Sequence, residues 1–373
     1  MNIALAHDWL NQMGGAENVL EELVEMYPGA PVFTTIYGPE QMPAGYRDWD
    51  IRTAWLNRAP AIHTRHQPYL PFYPAAVRSL DFSGFDVILS NKSGFIHGLR
   101  HTSRQLHICY CLAPTRYVWT YGDYARREGF GRWLGAAISP LIGGLRRWDY
   151  RAAQPTPPGG NRGVDHFIAI SRDIQQRIKT YYGRDSVVIY PPVNTDRFQP
   201  VRSPTADYYL VVSRLIPYKR IDLAVQAFSQ MNKRLVVVGD GRDRAQLQAM
   251  AGPSVEFRGR LPWSEVVELM ANCRAFLFPG FEDFGIAPVE AQAAGRPVIA
   301  FARGGALDTV VEGLTGLFFR EQSAAALAAA VEKFETLSFE PSVIRRNAER
   351  FSHHRFRREL ADFVAAAWES FAG

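Results

Sequence analysis

Short β-rich runs alternate with helical patterns along almost the whole of this 373-residue chain. Between the runs lie amphipathic stretches such as AENVLEELVEMY, in which four apolar side chains share one helical face: Val19, Leu20, Leu23 and Val24. The strand candidates are NIALAH, VFTTIY, FDVILSN, LHICYCL, DHFIAIS, VVIYPP, YYLVVSRL, RLVVVGDG, VEFRGRL, AFLFPG and PVIAFA. This alternation predicts an α/β fold, with parallel sheets covered by helices on both sides.

One Pro-rich polar stretch, PPVNTDRFQPVRSPTAD at residues 191–207, interrupts the alternation and is typical of an interdomain linker. We therefore expect two tandem Rossmann-like, doubly wound domains, over residues 1–190 and 191–350. Residues 351–373 are expected to form a helix that packs back on the N-terminal domain. A second irregular stretch, at 154–163, is expected to be an exposed loop.

Several classes of protein are disfavoured by simple features of the chain. No apolar run approaches eighteen residues, so no transmembrane helix is expected. The first residues lack the positive region of a signal peptide and resemble a buried strand. The three cysteines show no zinc-like spacing and are too few for a disulfide framework, which fits a reducing cytoplasm.

Positive charge is concentrated in the middle of the first half. Residues 1–91 contain 5 Lys and Arg against 10 Asp and Glu, whereas residues 92–184 contain 15 against 5. A block of this kind indicates an anionic partner, and a solvated basic face is the other interpretation. Within residues 124–153, arginines are interleaved with apolar side chains: Trp133, Leu134, Ile138, Leu141, Ile142 and Trp148. That pattern suits either an anionic membrane surface or a core helix with surface arginines, and no nucleic-acid-binding module is recognisable.

Candidate ligand-binding residues follow predicted strands, where an open parallel sheet binds its ligands. Gly14 and Gly15 open the first helix and would let a phosphate approach its backbone N–H groups, although two adjacent glycines more often form only a tight turn. Arg214 and Lys219 follow the first strand of the second domain, and Lys219 is expected to open the next helix. The two cations could neutralise a diphosphate, unless they simply face solvent. Neither a G-x-G-x-x-G fingerprint after the first strand nor a phosphate-loop motif is present, which disfavours dehydrogenases and P-loop enzymes.

Two glutamates stand eight positions apart in FEDFGIAPVEAQAAG. Glu282 follows a predicted strand, and Glu290 lies one turn inside the next helix. Phe284, Gly285 and Ile286 begin that helix, so their N–H groups are available to an anion. Because carboxylates accept hydrogen bonds from vicinal hydroxyls, the pair suits a hexose on one side and a ribose on the other. The alternative is one capping and one surface glutamate.

Three stretches of the second half together resemble the retaining glycosyltransferases of family 4, namely SRLIPYK, EDFGIAPVEAQAAGRPVIA and RGGALDTVVEGLTGLFF. The opening ALAHDWL and GGAENVLEEL extend the resemblance to the first half. Within the family, FPGFEDFGIAPVEA and HICYCLAPTRYVW are most similar to mannosyltransferases of bacterial O-antigen and exopolysaccharide assembly. The resemblance implies the GT-B architecture, with a cleft between two Rossmann-like domains.

The resemblance also implies a role for most of the candidate residues. The transferred sugar would contact Glu282 and the backbone of residues 284–286, and the ribose would contact Glu290. The diphosphate would be held by Arg214 and Lys219 without a divalent metal or other cofactor, and by Gly14 and Gly15 from the other domain. Arg116, past Pro114 at a strand end, is a candidate for binding an acceptor phosphate.

One position departs from the family pattern, because Leu112 stands where related sequences often carry a histidine. His107 and His97 are the nearby candidates for substrate contact or for a structural role. GDP-mannose is the first expectation for the donor, with UDP-glucose and UDP-N-acetylglucosamine open. The expected acceptor is a lipid-linked saccharide at the inner face of the plasma membrane. A nucleotide-sugar 2-epimerase and a non-catalytic sugar-nucleotide-binding or glycan-binding subunit are the alternatives.

Overall fold

The computed structural model describes residues 1–120, 132–155, 163–199 and 206–373, without the side chains of helix residues 132–138. The chain divides into two compact units, each built around one parallel sheet. The first unit contains Met1–Tyr190 together with Arg357–Gly373, and the second contains Pro191–Phe356. The second unit is therefore a continuous insertion between two parts of the first.

The first unit has a seven-stranded sheet in the order β3-β2-β1-β4-β5-β6-β7. Its strands are β1 (Ile3–His7), β2 (Val32–Thr34), β3 (Ile51–Thr53), β4 (Val87–Lys92), β5 (Leu106–Cys111), β6 (His166–Ala169) and β7 (Ser186–Val188). All adjacent pairs are parallel. Strands β4 and β5 are buried at every position because helices cover both faces of the sheet.

The second unit has a six-stranded parallel sheet in the order β10-β9-β8-β11-β12-β13. Its strands are β8 (Tyr209–Val212), β9 (Leu235–Val238), β10 (Val255–Gly259), β11 (Phe276–Phe278), β12 (Val298–Phe301) and β13 (Gly316–Phe319). Together the two sheets confirm the predicted α/β fold of two Rossmann-like units.

Helices connect the strands in both units. The first unit contains α1 (Gly15–Met26), α2 (Tyr73–Arg78), α3 (Arg116–Trp119), α4 (Arg132–Ala152) and α5 (Arg172–Tyr182). The second contains α6 (Ile221–Met231), α7 (Arg244–Ala249), α8 (Trp263–Asn272), α9 (Ile286–Ala293), α10 (Ala306–Thr309), α11 (Ala324–Glu335) and α12 (Pro341–Glu349). Serine side chains cap two of them, since Ser171 accepts the Ile174 N–H and Ser323 accepts the Ala326 N–H.

The last helix, α13 (His353–Ala372), begins in the second unit and continues in the first from Arg357. Its apolar stripe of Leu360, Val364 and Ala367 is buried. The Arg357 guanidinium forms ion pairs with two glutamates of α1, Glu22 and Glu25. These contacts hold the end of the chain against the first unit.

Both sheets share one topological property that decides where a ligand can bind. The strand order reverses beside the first strand of each unit, between β1 and β4 and between β8 and β11. In open parallel sheets, ligands occupy the crevice outside the carboxyl ends of the strands at such a switch point.

The structure differs from the sequence predictions in several segments. Strands β3 and β13 were not predicted, and β3 is a three-residue edge strand whose side chains are half-buried or exposed. The supposed linker is packed over residues 191–199, because Val193 bridges to Ser352 and the Phe198 side chain is buried. Residues 200–205, and residues 156–162 of the predicted loop, lie outside the described part of the chain.

The basic and apolar segment 124–153 is only partly described. Ile142 and Leu145 of α4 are buried in the first unit's core, and Trp148 packs against Phe95 at 5.9 Å between ring centroids. Leu141 is exposed. The side chains of Trp133, Leu134 and Ile138 lie outside the described residues. The described apolar side chains of α4 therefore mostly face the core, which favours the core-helix interpretation for that part. Within the described ranges, no helix has the length and apolar composition of a membrane span.

Candidate active site

The switch point of the second unit brings together two residues that are 63 positions apart in sequence. Lys219 comes from the loop after β8, and Glu282 comes from the loop after β11. The Lys219 ammonium and the Glu282 carboxylate form a direct ion pair. Their side chains remain 13% and 24% exposed, so both groups are shielded but reachable from solvent. An opposite-charge pair of this kind offers one hydrogen-bond donor site and one acceptor site to the same ligand.

Arg214 lies on the same β8–α6 loop and its side chain is exposed. Its guanidinium donates to the Tyr218 hydroxyl at 3.3 Å, and the Lys219 ammonium lies 5.4 Å from the centre of the Tyr218 ring. Tyr218 therefore stands next to both cations. Arg214 and Lys219, which were predicted to hold a diphosphate together, therefore lie on the same loop.

Lys219 was predicted to open the following helix, and this detail is wrong. Lys219 closes a short 3-10 turn, Pro217–Lys219, and α6 begins at Ile221. Between them Arg220 adopts a left-handed conformation with φ of 52°, which is unusual for a residue with a side chain. The Arg220 guanidinium is held by Asp222 at 3.1 Å, so the turn that presents Lys219 is fixed by its neighbour.

Helix α9 begins at Ile286, directly after the Glu282 loop, as the sequence predicted. Gly285 precedes it with φ of +89°, and a Cβ atom there would lie 2.8 Å from the Phe278 ring. Only glycine fits this turn, because the backbone is left-handed and the space is already occupied. The N–H groups of the first turn have no acceptor within the helix and point to its amino end. The Phe284 side chain is buried against Phe351, so any ligand contact of Phe284 would come from its backbone.

A second close approach holds the Glu282 loop in place. The Gly305 N–H donates to the Glu282 carbonyl oxygen at 3.0 Å. A Cβ atom on the preceding Gly304, where φ is +62°, would lie only 2.3 Å from the same carbonyl oxygen. The loop after β12 is thus packed directly on the backbone of Glu282, which limits the movement of that residue.

Glu290 lies one turn inside α9 and is half-buried. Burial raises the pKa of the Glu290 carboxyl from 4.5 to about 7, and the charge of Arg197 opposes this rise. A carboxyl group with a raised pKa in a ligand-binding region is characteristic of a functional site. The charge on Glu290 therefore changes near neutral pH. A hydroxyl group bound to this carboxyl would shift its protonation equilibrium.

The switch point of the first unit is organised differently, because Asp8 fills it. Asp8 follows β1 and is 1% exposed. Its carboxylate accepts three backbone N–H groups from the loop after β4, those of Ser93 at 2.7 Å, Gly94 at 2.6 Å and Ile96 at 2.8 Å. A Cβ atom on Gly94 would lie 2.7 Å from the Trp9 ring, so this junction is close-packed.

Gly14 and Gly15 stand at the start of α1, as predicted, with Gly14 as the N-cap and Gly15 as the first helical residue. Gly14 has φ of −170°, an extended conformation that any residue adopts, so its backbone does not require glycine. A Cβ atom there would approach the Glu17 carboxylate to 3.3 Å. The small residue keeps the amino end of α1 uncovered.

A buried polar group behind these glycines was not predicted. Glu17 lies 3.3 Å from His7 Nε2, and both side chains are buried. The Asn91 amide lies 3.2 Å from His7 Nδ1 and donates to the Ala16 carbonyl at 2.7 Å. Since the amide is a donor, His7 Nδ1 is the acceptor and its Nε2–H donates to Glu17. His7 ends β1 and Asn91 is the penultimate residue of β4, so the two side chains meet only because these strands are neighbours at the switch point.

The two candidate histidines near the Leu112 position occupy fully buried sites. His107 is fully buried near the amino end of β5, away from the carboxyl edge, and its Nε2 lies 2.8 Å from the Ser90 hydroxyl. Burial first, and His101 and His97 next, lower the pKa of His107 well below its usual value. His97 is also fully buried, and burial lowers its pKa to about 4. A substrate-binding role for His107 is therefore not supported by its position.

Arg116 lies at the carboxyl edge of the first sheet, as expected, and is the exposed first residue of α3. A buried polar network supports its loop. The Lys92 ammonium donates to Thr115 Oγ1 at 3.1 Å, and Thr115 Oγ1 lies 2.5 Å from the Asp149 carboxylate. The Tyr182 hydroxyl donates to the same carboxylate at 2.8 Å. Leu112, in the same loop, is buried at 9% exposure.

Comparison with known families accounts for both units. Residues 13–197 match the model described as Glycosyltransferase Family 4, and residues 192–351 match the model described as Glycosyl transferases group 1. The chain is built from two glycosyltransferase-family domains. The second match contains Arg214, Lys219, Glu282 and Glu290, so the candidate site lies within a glycosyltransferase domain.

Curated relatives resemble parts of this glycosyltransferase-family chain. One is the GDP-mannose-dependent alpha-(1-6)-phosphatidylinositol monomannoside mannosyltransferase of Mycolicibacterium smegmatis, which is 30% identical over 229 residues, 52% of this chain and 58% of the relative. Another is the GDP-mannose-dependent alpha-mannosyltransferase of Mycobacterium tuberculosis, 40% identical over 107 residues, 28% of each chain. The chain spans about half the length of the curated relatives that it matches.

Solved structures confirm the fold over nearly the whole chain. The structure of Anabaena HepE in complex with UDP has a TM-score of 0.71 and 18% identity, covering 98% of this chain and 100% of that one. The sucrose-phosphate synthase of Thermosynechococcus elongatus has a TM-score of 0.69 and 17% identity, covering 99% and 100%. The two-domain GT-B fold of these glycosyltransferase structures is the fold of this chain.

Proposed function

We propose that this protein is a retaining hexosyltransferase that moves a sugar from a nucleotide-sugar donor to a saccharide acceptor. The observation that carries the proposal is the Lys219–Glu282 ion pair at the switch point of the second sheet, beside the amino end of α9. A sugar diphosphate is an anion with a polyhydroxylated group attached. A site that binds it needs a cation next to a group that accepts hydrogen bonds from hydroxyls. Lys219 supplies the first and Glu282 the second.

Each side chain of the site has one task in the proposed donor complex. The Lys219 ammonium transfers its interaction from Glu282 to the diphosphate, and Arg214 adds a second positive charge from the same loop. Glu282, released from the ion pair, accepts hydrogen bonds from hydroxyls of the transferred sugar. The first-turn N–H groups of residues 285 and 286 contribute at the amino end of α9. Glu290 accepts hydrogen bonds from the ribose.

The proposed chemistry depends on stabilising the leaving group. The acceptor hydroxyl attacks the anomeric carbon from the face that the nucleotide leaves, and a phosphate oxygen of the donor takes the hydroxyl proton. The bond between the anomeric carbon and the phosphate oxygen breaks, and the configuration is retained. Lys219 and Arg214 neutralise the charge that develops on the diphosphate, which replaces a divalent metal. We expect Arg214→Ala and Lys219→Ala each to cost a few kcal/mol of transition-state stabilisation.

GDP-mannose is the proposed donor. Support comes from the curated relatives, since those of Mycolicibacterium smegmatis and Mycobacterium tuberculosis are named as GDP-mannose-dependent mannosyltransferases. The resemblance of the FEDFGIAPVEA and HICYCLAPTRYVW segments to mannosyltransferases also supports GDP-mannose as the donor. UDP-glucose and UDP-N-acetylglucosamine are the competing donors, and neither of the curated relatives described above is named as a 2-epimerase.

A lipid-linked saccharide of bacterial O-antigen or exopolysaccharide assembly is the proposed acceptor, met at the inner face of the plasma membrane. Arg116 supports this proposal because it is exposed at the carboxyl edge of the first sheet, where an acceptor phosphate could be held. The net positive charge of residues 92–184 favours an anionic surface. These charges support the proposal of peripheral contact with the membrane, which requires no membrane span.

Donor binding is tested by thermal unfolding of the purified chain with GDP-mannose, UDP-glucose, UDP-N-acetylglucosamine and NAD. A ligand that binds only the folded state raises the melting temperature. We expect a rise with one nucleotide sugar that is lost in Glu290→Ala and retained in Glu332→Ala, an exposed glutamate of the same unit. No rise with any sugar nucleotide would remove the support for a donor site.

Catalysis is tested separately, by release of nucleoside diphosphate from the bound donor with and without a lipid-diphosphate saccharide. Acceptor-dependent release is expected, together with a product whose anomeric configuration matches that of the donor by NMR. Donor binding without release would favour a non-catalytic sugar-nucleotide-binding subunit. Inversion of configuration would contradict the retaining mechanism while leaving the transfer activity intact.

A further inference from the structure

Two adjacent histidines and one aspartate of the second unit converge on a single point. His353 and His354 are the first two residues of α13, and Asp196 belongs to the 3-10 turn Thr195–Arg197. Both Nε2 atoms lie 3.1 Å from the same Asp196 Oδ2 atom. Adjacent side chains on a helix usually point about 100° apart, so this convergence requires both rings to turn towards the carboxylate.

The three ligand atoms have the spacing that a transition-metal ion requires. They all lie within 4.8 Å of one another. With bonds of 2.0–2.2 Å, two ligands of a tetrahedral Zn²⁺ ion stand about 3.3 Å apart. Both measured nitrogen–oxygen separations, 3.1 Å, are close to that edge length. Two imidazoles and one carboxylate form a donor set that zinc and similar ions prefer, whereas Mg²⁺ and Ca²⁺ prefer oxygen ligands alone.

Exposure leaves room for an ion and for water as its fourth ligand. His353 is 18% exposed, and the side chains of His354 and Asp196 are 69% and 57% exposed. The His353 backbone N–H donates to the Val193 carbonyl at 3.1 Å, which fixes the start of α13 beside the turn that carries Asp196. The backbone therefore holds the ligands together before any ion binds.

The cluster also lies close in sequence to both points where the chain passes from one unit to the other. The second unit begins at Pro191, five residues before Asp196, and it ends at Phe356, two residues after His354. An ion bound to all three side chains would link these two ends of the second unit by coordinate bonds. Without it, the exposed side chains of His354 and Asp196 are joined by a hydrogen bond that competes with water.

We propose that Asp196, His353 and His354 form a binding site for a divalent transition-metal ion such as Zn²⁺. The ion is structural rather than catalytic, since its ligands are not among the residues assigned to donor binding. It ties the first turn of the second unit to the start of α13. The observations that support this site do not depend on the proposed transferase reaction.

The test is calorimetric titration of Zn²⁺ into the tag-free full chain after dialysis against a chelator. We expect one saturable site and a rise in melting temperature on Zn²⁺ addition. Mg²⁺ at the same concentration should produce neither effect. Because even loss of a residue that only supports a ligand weakens metal affinity 10–100-fold, His354→Gln and Asp196→Asn should each weaken Zn²⁺ binding by at least about tenfold.

The matched control is His166→Gln, which removes an exposed histidine outside the cluster and should leave the titration unchanged. The exposed position of His354 makes its substitution compatible with folding, and circular dichroism without added metal verifies this. Absence of saturable Zn²⁺ binding by the parent chain would overturn the proposal. Equal Zn²⁺ affinity in the parent chain and the His354→Gln variant would do the same.

Discussion

The two units use the same sheet topology and fill its switch point in opposite ways. In the first unit, the carboxylate of Asp8 crosses from β1 to accept three backbone N–H groups of the loop after β4. In the second unit, the corresponding position between β8 and β11 is occupied by the Lys219–Glu282 pair, whose side chains are still partly exposed. The switch point of the first unit, here called the first junction, is closed by buried hydrogen bonds. The switch point of the second unit, the second junction, is bridged by two opposite charges that a ligand can separate.

This difference indicates that the two switch points have different roles in the same sheet topology. A buried carboxylate that accepts hydrogen bonds from three N–H groups stabilises the fold. A ligand that displaced any of these hydrogen bonds would disrupt the loop after β4. A shielded ion pair contributes less to stability, because its attraction must offset the cost of desolvating both groups. The first junction therefore serves stability, and the second serves the proposed donor binding.

The largest effect should come from Lys219→Ala, which removes the cation of the second junction. We expect kcat/KM for sugar transfer to fall by about 10²–10³-fold, equivalent to about 3–4 kcal/mol, because charge stabilisation of the leaving group is lost. Steady-state kinetics with the donor identified by thermal unfolding measures this. The melting temperature should change little. A stable variant with unchanged kcat/KM would show that Lys219 does not act on the diphosphate.

Asp8→Asn should produce the opposite result in the first junction. The amide cannot accept from all three N–H groups with the strength of a carboxylate, so we expect the unfolding free energy to fall by about 2–3 kcal/mol. Hydrogen exchange should accelerate in β1 and β4 and remain unchanged in β8 and β11. Asp81→Asn, at an exposed aspartate of the same unit, serves as the control. Unchanged exchange in β1 and β4 would contradict the stabilising role of Asp8.

Glu290 is predicted to make the second unit less stable as pH rises. Its pKa of about 7 lies above the unfolded value of 4.5, so the folded state binds more protons between these values. The stability contribution of the protonated carboxyl is therefore present below pH 4.5 and is lost as pH rises through 7. Glu290→Gln should raise the free energy of unfolding relative to the parent chain more at pH 8 than at pH 5, by about 1–2 kcal/mol after allowance for partial exposure, and the melting temperature should follow.

The control for this pH dependence is Glu332→Gln, an exposed glutamate on α11. It should shift the melting temperature equally at both pH values. A Glu290→Gln shift that is the same at pH 5 and pH 8 would mean that the carboxyl titrates in its ordinary range in the folded chain.

The smallest effect is expected for Arg116→Ala, at the edge of the first sheet. Its side chain is exposed, so stability should change by less than about 0.5 kcal/mol. Donor affinity, measured by thermal shift, should not change, whereas the KM for a lipid-diphosphate acceptor should rise because a phosphate contact is lost. A variant with weaker donor affinity and an unchanged KM for the acceptor would contradict the proposal that the first unit binds the acceptor and the second unit binds the donor.

Most of the fold could be predicted from the sequence, because the buried strands are nearly continuous apolar runs separated by amphipathic helices. The two missed strands show the limits of that pattern. Strand β3 has only three residues and carries the polar pair Arg52 and Thr53, so it has no apolar run to detect. Strand β13 follows a turn within a segment that was noted only for its family resemblance. Packing of residues 191–199 was missed because Val193 and Phe198 have no apolar period around them.

The candidate site was only partly predictable for a different reason. The sequence identifies Lys219 and Glu282 as charged residues after two strands, but their pairing depends on β8 and β11 being neighbours. Strand order across a switch point is a property of the whole sheet, so no local pattern contains it. The Glu17–His7–Asn91 network was missed for the same reason, since its three members come from three elements. A substrate contact of His107 stays a prediction without structural support, because His107 lies near the amino end of β5 whereas ligands bind at the carboxyl ends of the strands.

The insertion of the second unit between two parts of the first has a consequence for synthesis. A ribosome completes all of Pro191–Phe356 before it adds the Arg357–Gly373 segment that covers the first unit. During that interval the sheet β1–β7 lacks the buried side chains of Leu360 and Val364, and the α1 glutamates lack Arg357. The second unit can therefore reach its native state first, although it is made later. The first unit is complete only after residues Arg357–Gly373 have been made.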